Sequence, residues 1–342
     1  MDFEPVLEKL LRQEALTEGE SFGAFVGLFK GSLSPAQSKA LLLLLARKGE
    51  TRDELQGCVR ALRKLEPPRR VRIAGLLDTC GTGGDGSRSI NVSTLAAFVI
   101  AGAGGKVAKH GNRAITSACG SSDLMEWLGV KLEAPPEVMI RALRRSGLGY
   151  FHAPYYHPVF SRAQALRKKL KVRTLFNLLG PLMNPLEVEG QVIGVSRPEF
   201  IAPFAHVLRK RGVRCAMVCH SADGLDEIST GAPTDYVLIR GEKTAAGRIN
   251  PRKLGLRRYP RQAFITRSAA ASRKAALGIL TGKVKGAMKD IVVLNAAAGI
   301  WIAGLAPDLN AGMEAARESL EAGRAYEVLI KLKKMTRSRS FA

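Results

Sequence analysis

Acidic residues are scarce in this chain of 342 residues: 30 Asp and Glu stand against 53 Lys and Arg, a formal net charge of +23. Between Lys243 and Lys289 there is no acidic side chain at all. Such a charge attracts anions, from small phosphorylated substrates to nucleic acid at low salt. Long apolar runs are also missing, since no uncharged stretch reaches the roughly 18 residues needed to span a bilayer. The opening residues, Met1-Asp-Phe-Glu-Pro5, lack a secretory pattern, and the expectation is a cytoplasmic protein with no membrane partner. Cysteine is sparse and odd in number: Cys58, Cys80, Cys119, Cys215 and Cys219, with no CxxC pair. That argues against a disulfide framework or a zinc site and for buried thiols. No internal repeat and no low-complexity block is visible.

The apolar fraction of 46% is enough for a good core, and the length suits one large domain plus a smaller one. Residues 1 to about 66 read as helices. Phe3, Val6, Leu7, Leu10 and Leu11 recur with a helical period. Ser34-Pro35 with Gln37, and Thr51 with Glu54, are helix starts of the capping-box type. Leu41 to Leu45 reads as a fully buried stretch, and Pro67-Pro68 ends the helical part.

From Ile73 strands alternate with helices. Strands are expected around 76–78, 107–108, 147–151, 192–195, 213–219 and 235–239. Helices are expected at 95–103, 121–128, 136–146, 160–171, 200–211, 285–304 and 309–334, with a frayed basic tail from Lys331. This order predicts an α/β fold: a small all-helical domain, residues 1–68, and a large domain, 69–342, with a mostly parallel sheet flanked by helices. Part of the 160–190 crossover would join the small domain, its Pro/Gly-rich segment acting as a hinge. Sites in such sheets lie at the C-terminal ends of strands.

The densest motif is Cys80-Gly-Thr-Gly-Gly-Asp85-Gly-Ser-Arg-Ser89-Ile-Asn91-Val-Ser93-Thr94, followed by an apolar helix. Glycines free backbone N–H groups just before a helix N-terminus, which is how a chain cradles phosphate. It is not a P-loop, because Gly-Lys-Ser/Thr is missing, and no acidic residue follows at the distance a dinucleotide fold requires. Asp85 in the middle repels a bare anion, so a sugar phosphate carried as a magnesium complex fits better. Lys109-His-Gly-Asn112-Arg113 adds a point charge and a fork for phosphate oxygens. Thr116 to Ser122 adds hydroxyls before another helix. Asp223-Gly-Leu-Asp226-Glu227 sets carboxylates side by side, an arrangement that suits a hard cation. A rigid aromatic loop, Ala153-Pro-Tyr-Tyr-His157-Pro158, precedes Arg167, which is suited to a bidentate grip on a carboxylate.

These motifs, with Arg173-Thr-Leu-Phe-Asn-Leu-Leu-Gly180-Pro-Leu-Met-Asn-Pro185 and the 292–303 and 315–323 segments, resemble the anthranilate phosphoribosyltransferases. The fold also resembles that of pyrimidine nucleoside phosphorylases. The resemblance implies transfer of phosphoribose from phosphoribosyl diphosphate (PRPP) to the anthranilate amine, with Mg2+, in a homodimer formed through the helical domain. It implies that Gly81, Gly84, Asp85, Ser89, Asn91, Ser93, Thr94, Lys109 and Ser121 surround PRPP. Gly81, Asn112, His157 and Arg167 would line the anthranilate path, and Ser93, Asp226 and Glu227 would serve the metal. Lys109, Arg167, Asp226 and Glu227 would carry catalysis. The chain departs from the family pattern after Arg167, where Lys169 and Lys171 replace a glutamate and a glycine. Two alternatives stay open on this charge: a nucleic-acid-binding relative without turnover, and an enzyme for another acceptor or for nucleoside phosphorolysis.

Overall fold

The computed structural model describes residues 2–114, 119–159, 170 and 172–337. Four helices come first: α1 (Glu4–Leu11), α2 (Glu18–Lys30), α3 (Pro35–Lys48) and α4 (Arg52–Leu65). The capping boxes at Ser34 and Thr51 form, and so does a third, Thr17 with Glu20. Each satisfies N–H groups that a first helical turn leaves without partners. Thr17→Ala is expected to cost about 1 kcal/mol in chemical denaturation. Leu41, Leu42 and Leu45 are buried, but Leu43 and Leu44 are only half-buried. Successive helical residues turn by about 100°, so five in a row cannot all face one core.

Glu54 is fully buried at the junction of these helices. Its carboxylate accepts from the Leu16 and Thr51 N–H groups at 2.9 and 2.8 Å and from Lys48 Nζ at 2.9 Å. Glu54→Ala would strand three donors, one of them a nearly buried ammonium, and is expected to cost about 3–5 kcal/mol. Urea denaturation monitored by circular dichroism measures this.

A seven-stranded sheet follows, in the order β3-β2-β1-β4-β5-β6-β7. The strands are β1 (Leu76–Gly81), β2 (Lys106–Gly111), β3 (Leu148–His152), β4 (Gly190–Gly194), β5 (Cys215–Ser221), β6 (Thr234–Arg240) and β7 (Lys243–Ile249). Pairings from β3 through β5 are parallel, and β6 and β7 are antiparallel. Helix α5 (Val92–Gly102) and the helix Ala287–Ile302 belong to the core on one face. On the other face the helix Ile201–Lys210 shares a core with α1–α4. The segment Leu175–Met183 is part of this second core. Phe176 lies 6.4 Å from Phe25 and 6.0 Å from Phe29, ring centre to ring centre.

Several expectations need correction. The long helix expected over 309–334 is two helices, Leu309–Glu321 and Arg324–Arg337, separated at Gly323, whose φ of 72° breaks the helical path. The tail from Lys331 is helical to Arg337, held by buried Leu332 and Thr336. Strand β7 and the helix Ala269–Leu280 lie in the acid-free stretch, where the sequence pattern marks no element. The helix expected at 160–171 falls outside the described residues but for Leu170, as do Thr116 and Ser117. All five cysteines are buried as thiols. Among the described residues no helix is long and apolar enough to cross a membrane.

Candidate active site

Strand order reverses at β1, which lies between β2 and β4. A crevice therefore opens beyond the C-terminal ends of β1 and β4, the usual ligand position in such sheets. The glycine loop leaves β1 and the Lys109–Arg113 segment ends β2. The Asp223–Glu227 loop leaves β5. All three border a cavity of 510 Å³.

Two glycines make this convergence possible. Gly81 ends β1 and Gly194 ends β4, and the two are paired in register. A Cβ at Gly81 would overlap the Asp226 carboxylate, and one at Gly194 would overlap the Asp226 backbone carbonyl. Without side chains at these two positions, the acidic loop folds over the strand ends. The Gly83 N–H then donates to Asp226 Oδ2 at 2.6 Å, and the Ser93 N–H donates to Glu227 Oε1 at 3.2 Å. Glu227 thus occupies an N–H in the first turn of α5, at the positive end of that helix.

The third carboxylate of the cluster comes from the glycine loop and not from Asp223. Asp223 is tied within its own loop, where it accepts from Ser229 Oγ at 2.6 Å. Asp85 joins Asp226 instead. Its Oδ1 accepts from the Ser87 N–H and Oγ, both at 2.9 Å, while its Oδ2 is buried without a partner. Burial, and then Asp85, push the Asp226 carboxyl up to about 7. Burial and Asp226 push Glu227 up as well, opposed by the charge of Lys109. Three clustered acids, one with an orphaned oxygen, are chemically suited to a hard divalent cation. Among the described residues no group of three His, Cys, Asp or Glu side chains is placed to hold a metal ion by itself, so an ion here would need oxygens from a substrate or water as well.

Lys109 is 3% exposed and donates to the His110 carbonyl at 3.1 Å. His110 lines the cavity. Its Nδ1 lies 3.1 Å from the Gly180 carbonyl, and its Nε2 is buried without a partner. Burial and the neighbouring His157 hold its pKa well below the usual histidine value. The ring is therefore neutral, with Nδ1–H donating and Nε2 left as an acceptor.

Gly84, Ser89, Asn91, Thr94, Asn112 and Ser121 also line the cavity. Asn91 Nδ2 donates to the Cys119 carbonyl at 3.1 Å, and the Thr94 hydroxyl is buried without a partner. Ser121 Oγ accepts from the Asn112 N–H at 3.1 Å. His157 lines the cavity too, but both ring nitrogens are engaged, by Glu66 Oε2 at 3.0 Å and the Met183 carbonyl at 2.7 Å. Arg113 does not present its guanidinium to a phosphate. It is paired with Glu126 at 2.7 Å and Asp123 at 3.1 Å. Arg167 lies outside the described residues, with Lys169 and Lys171.

Three residues of the site carry no motif of their own in the sequence. Gly194 is one. Arg261 is another: it donates to the carbonyls of Asp85 at 2.7 Å and Asp223 at 3.2 Å and so ties the glycine loop to the acidic loop. The third is Glu66, which orients His157. Only the Pro67-Pro68 break after Glu66 and the concentration of arginine around Arg261 mark these regions, and neither signal names the residue.

Comparison with known proteins agrees with this architecture. Residues 4–65 match the helical bundle domain of a glycosyl transferase family, and residues 74–326 match its a/b domain. An anthranilate phosphoribosyltransferase of Thioalkalivibrio sulfidiphilus is 40% identical over 99% of this chain and 100% of its own. That of Desulfitobacterium hafniense is 42% identical over 96% of this chain and 97% of its own. The crystal structure of the Thermus thermophilus enzyme superposes with a TM-score of 0.89 at 39% identity, covering 97% of this chain and 99% of that one. The Saccharomyces cerevisiae enzyme, in complex with PRPP and Mg, shares the fold at 23% identity, with a TM-score of 0.87 over 96% of each chain. With the glycine loop, the buried lysine and the acidic pair gathered at one switch point, and with relatives of this identity over the full length, the chain belongs to the anthranilate phosphoribosyltransferase family.

Proposed function

We propose that this chain transfers the 5-phosphoribosyl group of PRPP to the amino group of anthranilate, releasing diphosphate, and that the residues gathered at the β1–β4 crevice do so. The single observation carrying the reading is that Asp85, Asp226 and Glu227 gather with the glycine loop and a buried lysine at one cavity. Gly81, Gly84, Asp85, Ser89, Asn91, Ser93, Thr94 and Ser121 receive PRPP, the free backbone N–H groups and hydroxyls meeting its phosphates and ribose. Ser93, Asp226 and Glu227, with Asp85, would hold Mg2+, and the ion would supply neutralisation of diphosphate charge. Lys109 lends its charge to the departing diphosphate. The ribose C1–O bond breaks as the aryl nitrogen attacks C1, and positive charge develops on the ring in between.

Anthranilate enters past Gly81, Asn112 and His157, with Arg167 as carboxylate partner. The neutral His110 Nε2 accepts a hydrogen bond from the amino group and orients its lone pair. No strong base is required, because an aryl amine is already neutral at pH 7, and the acidic proton its nitrogen carries after attack passes to the departing diphosphate or to water. Catalysis is then positioning plus stabilisation of leaving-group charge. His157 acts through shape, since its nitrogens are spent on Glu66 and Met183.

The test is loss of anthranilate fluorescence when PRPP and Mg2+ are added. Turnover is expected, and it should vanish with EDTA and fall at least tenfold in Arg167→Ala. Failure over a wide range of anthranilate concentrations would remove the reading.

The division into domains 1–68 and 69–342, joined by the 160–190 crossover, is supported by the Phe25–Phe29–Phe176 stack. We place the protein in the cytoplasm as a homodimer; for association through the helical part, the support is Leu11, an apolar side chain 63% exposed on α1. Light scattering reads the mass directly. Salt-sensitive association with nucleic acid is supported only by the acid-free stretch 243–289 and is secondary to the enzymatic reading.

A further inference from the structure

A second cleft, of 610 Å³, lies away from the crevice, between α2 and α4 on one side and the end of the helix Ile201–Lys210 on the other. Arg60, Arg63, Lys64, Lys210 and Arg211 line it, with Glu18 as its one carboxylate. Glu18 is already paired with Arg60. No carboxylate lies within ion-pair distance of Arg63, Lys64, Lys210 or Arg211 among the described residues.

Arg60, Lys64 and Lys210 are exposed, but Arg63 and Arg211 are not simply solvated. Arg63 Nη1 and Arg211 Nε are both buried without a hydrogen-bond partner. Arg211 uses Nη1 on the Leu182 carbonyl at 3.3 Å and on Gln191 Oε1 at 3.0 Å. Burial, and then the charge of Arg63, pull Arg211 down to about 9. Gln56 lines the same cleft, is 6% exposed, and its carbonyl oxygen has no partner. Phe22 forms an aromatic wall, with Arg60 and Lys64 standing 5.1 and 5.5 Å from its ring centre.

Unpaired buried guanidinium N–H groups are costly, and a cleft that gathers them leaves them to a ligand. We propose that this cleft is a binding site for a small oxyanion of the phosphate class that also carries an O–H donor. The arginines supply a planar fork for the anionic oxygens. Gln56 Oε1 takes the donor, which a protonated phosphate or a phosphate ester bearing a hydroxyl supplies and sulfate does not.

The site is separate from the PRPP cradle in its residues. It shares one wall with it, because Arg211 holds the carbonyl of Leu182 in the same short segment whose Gly180 and Met183 carbonyls meet His110 and His157.

Titration calorimetry of the full chain with inorganic phosphate tests the proposal, with sulfate as comparison and Lys109→Gln to disable the PRPP cradle. Binding should persist in Lys109→Gln, and phosphate should bind more tightly than sulfate. Affinity should fall about tenfold or more in Arg63→Gln, a loss in the range of a charged hydrogen bond. Lys64→Gln, at an exposed position, should fall by a smaller factor and guards against misfolding of the first variant. Loss of all phosphate binding in Lys109→Gln would overturn the proposal, as would unchanged affinity in both cleft variants, or sulfate binding as tightly as phosphate.

Discussion

Asp226→Asn is expected to lower turnover about 10²–10³-fold while leaving the protein as stable or more so. Asparagine keeps an oxygen for the Gly83 N–H, which reaches Asp226 Oδ2 at 2.6 Å, but it removes the charge beside Asp85 and Glu227. The stability sign follows from the direction of the shift. The Asp226 carboxyl is pushed up to about 7 in the fold, above its ordinary 3.8, chiefly by burial. Ionised, it destabilises the native state, and that penalty grows as pH rises between those two values and is complete above the higher. The melting temperature of Asp226→Asn should therefore exceed that of the parent most clearly at pH 8 without divalent cation. The gap should narrow toward pH 5, where the parent carboxyl is largely protonated. Activity retained within tenfold would remove Asp226 from the reaction machinery. A melting-temperature gap that widens toward acid would contradict the burial argument.

Gly194→Ala is expected to do the reverse and damage fold and function together. The new Cβ would overlap the backbone carbonyl of Asp226, and backbone cannot swing aside as a flexible side chain can. The loop must shift, at about 1–3 kcal/mol for forced overpacking. The acidic pair then moves relative to the glycine loop, and misplacement by about 1 Å at a site that works by positioning costs about 10²-fold in rate. Gly180→Ala is the control: it also lies beside the site, but its Cβ would meet nothing within 4 Å. Denaturation midpoints and turnover for the two variants should separate cleanly. Equal behaviour would mean that β4 does not hold the acidic loop.

Much of the fold is legible in local sequence. Capping residues announce helices because the side chain and the N–H groups it satisfies lie within four positions. Pro136–Ser146 starts and stops where its proline and Gly147 require. Apolar periodicity and the glycine loop together give the strand–loop–helix order of residues 76–102. The C-terminal pair of helices is harder to read, because one glycine, Gly323, decides between one long helix and two, and a single glycine is often tolerated inside a helix.

The site divides along the same line. Residue order alone set which chemistry was available: a phosphate-ready loop, a lysine two residues before the end of a strand, and adjacent carboxylates. It also set the charge that draws anions in. Which of these groups meet was settled by the packing of the chain in three dimensions. Asp85 rather than Asp223 completes the acidic cluster, because two paired glycines at the ends of β1 and β4 let Asp226 settle over the strand ends. Arg113 turns to Glu126 and Asp123, and His157 spends its nitrogens on Glu66 and Met183. Side-chain partners far apart in sequence depend on the register of strands and the packing of helices, and no local pattern encodes them.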